Sequence, residues 1–146
     1  MAVVTEHACG QDSRLVVLAH VEAFNDHSTE RLLDSLSNDA VWMTGRDILT
    51  GRAELAELFD QGLWDLAPSL EVRSLVVDGT AVAVQLYEEL TLDGERQGFD
   101  IAVFFAISDG LIRTAKVYRE GSADIDQSSA PSAAVIGERL VQQRPR

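Results

Sequence analysis

Three Asp-Gly pairs, at positions 78–79, 93–94 and 109–110, divide the second half of the chain into runs of similar length. Asp-Gly favours a two-residue reversal because both positions tolerate the positive φ that a tight hairpin demands. The runs alternate apolar and polar residues, the period of a strand with one buried face. The spacing therefore predicts a four-stranded antiparallel meander over roughly 71–77, 80–91, 96–107 and 111–119. The runs share no motif, so they are not the units of a repeat array. Whatever precedes such a meander must cover one of its faces.

The first half carries helical spacing instead. In SRLVVLAHVEAFNDH, Val17, Val21 and Phe24 recur on one face, and Ser13 stands where an N-cap belongs. His20 falls on the same apolar side, and His27 marks the helix end. Ser28 can cap a second short helix, TERLLDSLS, whose Leu32, Leu33 and Leu36 share a face. DAVWMTG reads as a short strand ended by Gly45, and RDILTG as a loop. Leu55, Leu58, Phe59 and Leu63 then line one side of RAELAELFDQGLWDLA, a helix that Pro68 stops. From Gly121 onward Ser, Ala, Pro and Gln dominate, with helical spacing only in AAVIGERLVQQ. The expected organisation is a flexible N-terminus (1–12), one α+β domain (13–120) and a C-terminal tail (121–146), partly disordered or a short helix.

At 146 residues the chain is long enough to bury one core with a cavity beside it. Twelve basic residues against 24 acidic ones give a net charge of −12, which disfavours nucleic acid and anionic lipid as partners. No apolar run reaches membrane-spanning length, and the first residues lack a charged segment leading into an apolar one. The lone Cys9 cannot form an intrachain disulfide. These features lead to the expectation of a cytoplasmic protein. Three scattered histidines and one cysteine lack metal-ligand spacing, and the phosphate-cradling and dinucleotide glycine motifs are absent. Neither a metal nor a cofactor is expected.

VEAFNDHSTERLLDSLSNDAVW, LTGRAELAELF and the closing DGLIRTAKVYRE together resemble the nuclear transport factor 2-like superfamily, in particular its SnoaL-like and ketosteroid-isomerase-like members. The resemblance covers Ser13 to Glu120. It implies a cone-shaped barrel in which N-terminal helices pack on a curved antiparallel sheet and enclose a pocket. It also implies a cofactor-independent enzyme or accessory factor of secondary metabolism. The reaction class would be isomerisation, cyclisation, dehydration or epoxide opening of a small hydrophobic molecule of polyketide or terpenoid type. Such a fold hosts many unrelated activities, so the residues must decide. The general-base aspartate of steroid-isomerising members falls on or next to Thr44, and their protonated acid nearest Val103. Neither side chain can take that role. The Asp-Arg-Asp relay of epoxide-hydrolysing members corresponds to Tyr87, Gln85 and Val117, and their water-holding tyrosine and asparagine to Trp42 and Thr44. No relay survives.

If Gln85 and Tyr87 face inward, as the resemblance implies, alternation turns Ala83 and Glu89 inward and Val82, Val84, Leu86 and Glu88 outward. Phe99, Ile101, Val103 and Phe105 follow inward on the next strand, and Arg113, Ala115, Val117 and Arg119 on the last. The candidate catalytic residues are then Tyr87, polarising a carbonyl, with Glu89 or His20 moving a proton. The candidate ligand-binding residues are Trp42, Thr44, Gln85, Phe99, Ile101, Val103 and Val117. Asp100 falls on the back of the sheet, where Lys116 can pair with it, and a one-residue slip reverses that placement. The outward Val82, Val84, Leu86, Ala102, Phe104, Ala106 and Ile112 would form a patch of the size that marks an interface, so a homodimer through the outer sheet face is expected. The alternative function class is a non-catalytic ligand-binding or dimerisation module without the family's acid and base residues.

Overall fold

The computed structural model describes residues 2–45 and 47–120. Helices α1 (Ala2–Asn25) and α2 (Thr29–Asp34) lead into β1 (Leu36–Thr44) and β2 (Asp47–Thr50). Helix α3 (Gly51–Leu58) precedes the meander of β3 (Ser69–Asp78), β4 (Ala81–Leu92), β5 (Glu95–Ser108) and β6 (Leu111–Arg119). The architecture is α+β, with the helices on one face of a curved six-stranded sheet of order β2-β1-β6-β5-β4-β3. Neighbouring strands are antiparallel except β1 and β6, which run parallel. The edges β2 and β3 do not meet, so the cone stays open.

The meander follows the turn chemistry. Asp93 and Gly94 adopt φ of 51° and 81°, and Asp109 and Gly110 adopt 53° and 74°, which matches the twist of the flanking strands. Ser28 caps α2 as expected, its Oγ accepting from the Arg31 amide at 3.3 Å. Ser13 does not cap α1, because the helix already runs from Ala2 and buries Ser13 within it. The presumed loop RDILTG contains β2, which pairs with β1 from Val41↔Thr50 to Thr44↔Asp47. The third helix changes character before Pro68: α3 passes into a π-helical turn (Phe59–Leu63) and a 3-10 turn (Trp64–Leu66), and Ala67 at φ 48° ends it. The tail 121–146, with its expected helix, lies outside the described residues.

The core lies between the sheet and the helices. Val17, Val21 and Phe24 of α1, Leu32 of α2, and Leu55 and Phe59 at α3 meet Val82, Val84 and Leu86 of β4 and Ile101, Val103 and Phe105 of β5. Full burial of each large apolar side chain stabilises by about 1.5–3 kcal/mol. His27 closes the end of α1 with φ 52°; its Nε2 lies 2.8 Å from the Pro68 carbonyl, and its ring stacks on Trp64 at 4.9 Å. That link ties the end of α1 to the start of β3.

Two expectations about strand faces are overturned. On β4 the buried set is Val82, Val84, Leu86, Glu88 and Leu90, while Gln85 is exposed and Tyr87 and Glu89 sit half-buried on the opposite face. The strand's own period of apolar residues sets this face, and the resemblance had displaced it by one residue. On β6 the register shifts between Ala106↔Thr114 and Ile107↔Ile112. This irregularity lets Ile112 and Ala115 both be buried and leaves Arg113 exposed. Ala115, Val117 and Arg119 face inward as expected, and so do Ile101, Val103 and Phe105.

Candidate functional site

A cavity of about 70 Å³ lies between α1, the α3 segment and the inner faces of β4, β5 and β6. Val21 and Phe24 line it from α1, Leu58 and Leu63 from the α3 side, and Leu86, Ile101, Val103, Phe105 and Val117 from the sheet. Trp42 and Thr44 of β1 complete the wall. Into this apolar enclosure the sheet places two charges. Arg119 Nε donates to Glu88 Oε1 at 3.1 Å, and Arg119 Nη1 donates to Thr44 Oγ1 at 2.6 Å.

Strand pairing explains why these three side chains meet. Thr44 is the register partner of Val117 across the parallel β1–β6 ladder, so it stands two residues from Arg119 on the same inner face. Arg119 pairs with Ile101, and Ile101 pairs with Leu86, two residues before Glu88. A guanidinium from β6 thus reaches along β4 to a carboxylate on the same side of the sheet. Glu88 is only 3% exposed. A carboxylate so buried is tolerable only when paired, and the Arg119 fork supplies the partner.

His20 enters from the opposite wall, on α1. It is 2% exposed and lies between Trp42 and Phe105, with ring centroids 5.5 and 5.7 Å away. Its Nδ1 is 2.8 Å from Ser35 Oγ. Burial depresses its pKa from the usual 6.5 to about 4, so the ring is neutral near pH 7. Among the described residues no group of three or more His, Cys, Asp or Glu is placed to hold a metal ion, and no helix is long and apolar enough to cross a membrane.

A cavity under a helix-covered, cone-shaped sheet is an arrangement that known proteins share. Residues 17–115 match the SnoaL-like domain. The chain belongs to the SnoaL-like family. Several solved structures share the fold of this SnoaL-like protein. An LEH-like epoxide hydrolase of M. tuberculosis superposes with a TM-score of 0.70 at 20% identity, over 76% of this chain and 84% of that one. SalBIII, an epoxide hydrolase/cyclase-like enzyme of pyran ring formation in the polyether salinomycin, gives 0.71 at 23%, over 78% and 94%. A putative polyketide cyclase of Xanthomonas campestris pv. campestris gives 0.65 at 25%, over 75% and 91%. No curated protein matches the chain.

The SnoaL-like cavity gathers some of the residues expected from sequence and leaves others outside. His20, Trp42, Thr44, Ile101, Val103 and Val117 line it. Gln85, Tyr87 and Glu89 lie on the far face of β4. There Gln85 accepts from Ser74 Oγ at 2.7 Å, Arg73 stacks over Tyr87 at 5.1 Å, and Glu89 pairs with Arg96 at 3.2 Å. Phe99 packs on the core margin but is not part of the lining. Asp100 is exposed on the outer face, as expected; Lys116 lies instead over the Tyr118 ring at 5.4 Å. Glu88 and Arg119 are the polar groups that sequence reasoning missed as site residues. One signal could have found Glu88: it is the only charged residue in the apolar stripe Val82, Val84, Leu86, Glu88, Leu90.

Chemically, the arrangement offers a carboxylate acceptor, a guanidinium with donors to spare, a hydroxyl and a neutral imidazole, all facing one apolar space. Electrostatic interactions in such a space are stronger than in water.

Proposed function

We propose that this SnoaL-like protein binds a small hydrophobic molecule in the helix-covered cavity and acts on it without a cofactor, by isomerisation, cyclisation, dehydration or epoxide opening. The observation that carries this reading is the buried Glu88–Arg119 pair in the wall of an otherwise apolar cavity. Burying two charges costs several kcal/mol that a pair of apolar side chains would not incur, and such groups in a concave site are candidates for chemistry. Glu88 would accept a proton, and the free donors of Arg119 would stabilise an oxyanion as it develops. The polyketide-related proteins of the same fold support a substrate of that chemical type. The test is a turnover screen of epoxide, enone and β-keto compounds, with products read by mass spectrometry, on the wild type and Glu88→Gln. A product formed by the wild type and lost at least about a hundredfold in the variant supports the reading. Equal turnover in both defeats the assigned residues.

The alternative is a non-catalytic ligand-binding or dimerisation module, and the size of the cavity bears on both readings. The cavity, about 70 Å³, is far below the roughly 300–1,000 Å³ of ordinary small-molecule sites. Under either reading a polyketide-sized ligand needs the cavity to widen, and the segment carrying Leu58 and Leu63 forms one of its walls. The π-helical turn at Phe59–Leu63 is the local irregularity where that widening would start. Within the same proposal the protein is cytoplasmic and forms a homodimer through the outer sheet face, around Phe104 and Tyr118, which are exposed there.

A further inference from the structure

Ser35 fixes the proton on His20. Its hydroxyl has a single hydrogen, and the Leu32 carbonyl, 2.6 Å away, can only accept it. Ser35 Oγ must therefore accept from His20 Nδ1 at 2.8 Å, so Nδ1 carries the imidazole proton. The ring is neutral because burial lowers its pKa to about 4. Nε2 is then a bare acceptor. It is buried, and it has no hydrogen-bond partner among the described residues. Native structures seldom leave a buried polar atom in this condition, because an unmade hydrogen bond in an apolar setting is costly. The ring lines the cavity, and Nε2 is the nitrogen not turned to Ser35.

We propose that His20 Nε2 is a preset hydrogen-bond acceptor for the ligand, which therefore carries a hydroxyl donor, as a phenol, an enol or an alcohol, on an apolar ring or chain. This rests on the cavity being a ligand site, and it names the chemical class that the site selects. The polar groups of the cavity are divided between two walls. Arg119 and Glu88 are already paired on the sheet side, whereas the helix side offers only an acceptor. The apolar ring or chain that carries the hydroxyl then has the apolar wall of Trp42, Val103 and Phe105 to pack against. An ether or a methyl group in the same place leaves both Nε2 and the site unsatisfied.

Phenol and toluene are matched in shape and differ by one donor, so they test this directly. Their affinities are measured by amide chemical-shift titration of the wild type, His20→Phe and Ser35→Ala. The ratio of phenol to toluene affinity is expected to fall about tenfold in His20→Phe, where the bound hydroxyl loses its acceptor. It should fall by less in Ser35→Ala, where the proton is free to move to Nε2. Nitrogen-15 shifts of His20 in the unliganded wild type should show the Nδ1–H tautomer. If the ratio is the same in wild type and His20→Phe while both compounds bind, the cavity is a ligand site and the inference is wrong. An Nε2–H tautomer also overturns it. If neither compound shifts any cavity residue, the ligand-site reading fails and the inference falls with it.

Discussion

Arg119 and Glu88 hold each other 3.1 Å apart with less than a tenth of either side chain exposed. The pair is the only ion pair among the described residues in which both members are so buried. Its energetics are asymmetric. Removing one partner leaves the other charge buried alone, at a cost of about 3–5 kcal/mol, whereas replacing both with apolar residues of similar volume is often close to neutral. We therefore expect Arg119→Leu and Glu88→Leu each to lower stability by that amount and the double variant to recover most of it. Urea unfolding of the four proteins measures this as a double-mutant cycle. Additive losses would show that the two charges do not interact as described.

His20 gives the fold a defined acid sensitivity. The unfolded chain takes up a proton on this ring near pH 6.5, and the folded ring resists until about pH 4. Between those values the unfolded state binds more protons, so stability falls as pH falls, and it is at full strength above pH 6.5. The gap corresponds to about 3 kcal/mol at most. Glu88 and Arg119 are the other charged groups of the cavity wall, and they are paired with each other. His20→Phe should therefore remove this share of the decline between pH 6.5 and 4. The check is urea midpoints at pH 7.5 and 4.5: equal declines in both proteins would rule out His20 as the source.

The fold was largely written in local signals and the site was not. Asp93-Gly94 and Asp109-Gly110 placed their turns because backbone conformation is decided within two residues. Ser28 placed its cap for the same reason. The strand β2 was missed because Asp47–Thr50 is four residues long, too short to show a period, and is stabilised only by pairing with β1. The face of β4 is legible in Val82, Val84, Leu86 and Leu90, whereas correspondence to relatives points to the opposite face. That one-residue slip moved Tyr87 and Glu89 into the expected site and Glu88 out of it. No alternation rule could have foreseen the irregularity on β6, where Arg113 leaves the inner face that Arg119 keeps. The meeting of Thr44, Glu88 and Arg119 depends on three strands far apart in sequence, and only the assembled register brings them together.

Tyr87 belongs to the outer face and has a structural duty there. A Cβ built on Gly98 would lie 1.7 Å from the Tyr87 hydroxyl, so the phenol ring occupies the space that a side chain on β5 would need. Gly98→Ala should cost about 1–3 kcal/mol through this overlap. In a Tyr87→Ala background the same change should cost far less. Thermal melts of the four combinations decide it, and an equal cost in both backgrounds would count against the overlap. Tyr87→Phe should alter ligand affinity in the cavity by less than about twofold, because its hydroxyl faces away from that space.

The outer face should bind a second copy of the chain. Val76, Phe104 and Tyr118 are 66%, 54% and 51% exposed, and Phe104 and Tyr118 pack edge-to-face at 5.8 Å. Beside Phe104 a shallow apolar hollow of about 320 Å³ runs between Val76, Ala83 and Ala106. Exposed aromatics on the outer face of the sheet match what the buried centre of a protein interface contains, and a two-fold axis lets the same patch serve both partners. The patch differs from the one expected from sequence, since Val82, Val84, Leu86 and Ile112 are spent on the core. Light scattering should return about twice the 15.9 kDa of one chain, and Phe104→Arg should return a single chain with the cavity's ligand binding preserved. A charge placed at the centre of an apolar interface must be desolvated without a partner, which is why one substitution suffices. A wild-type monomer at tens of micromolar would show that the face is bare in solution and that its aromatics serve the fold alone.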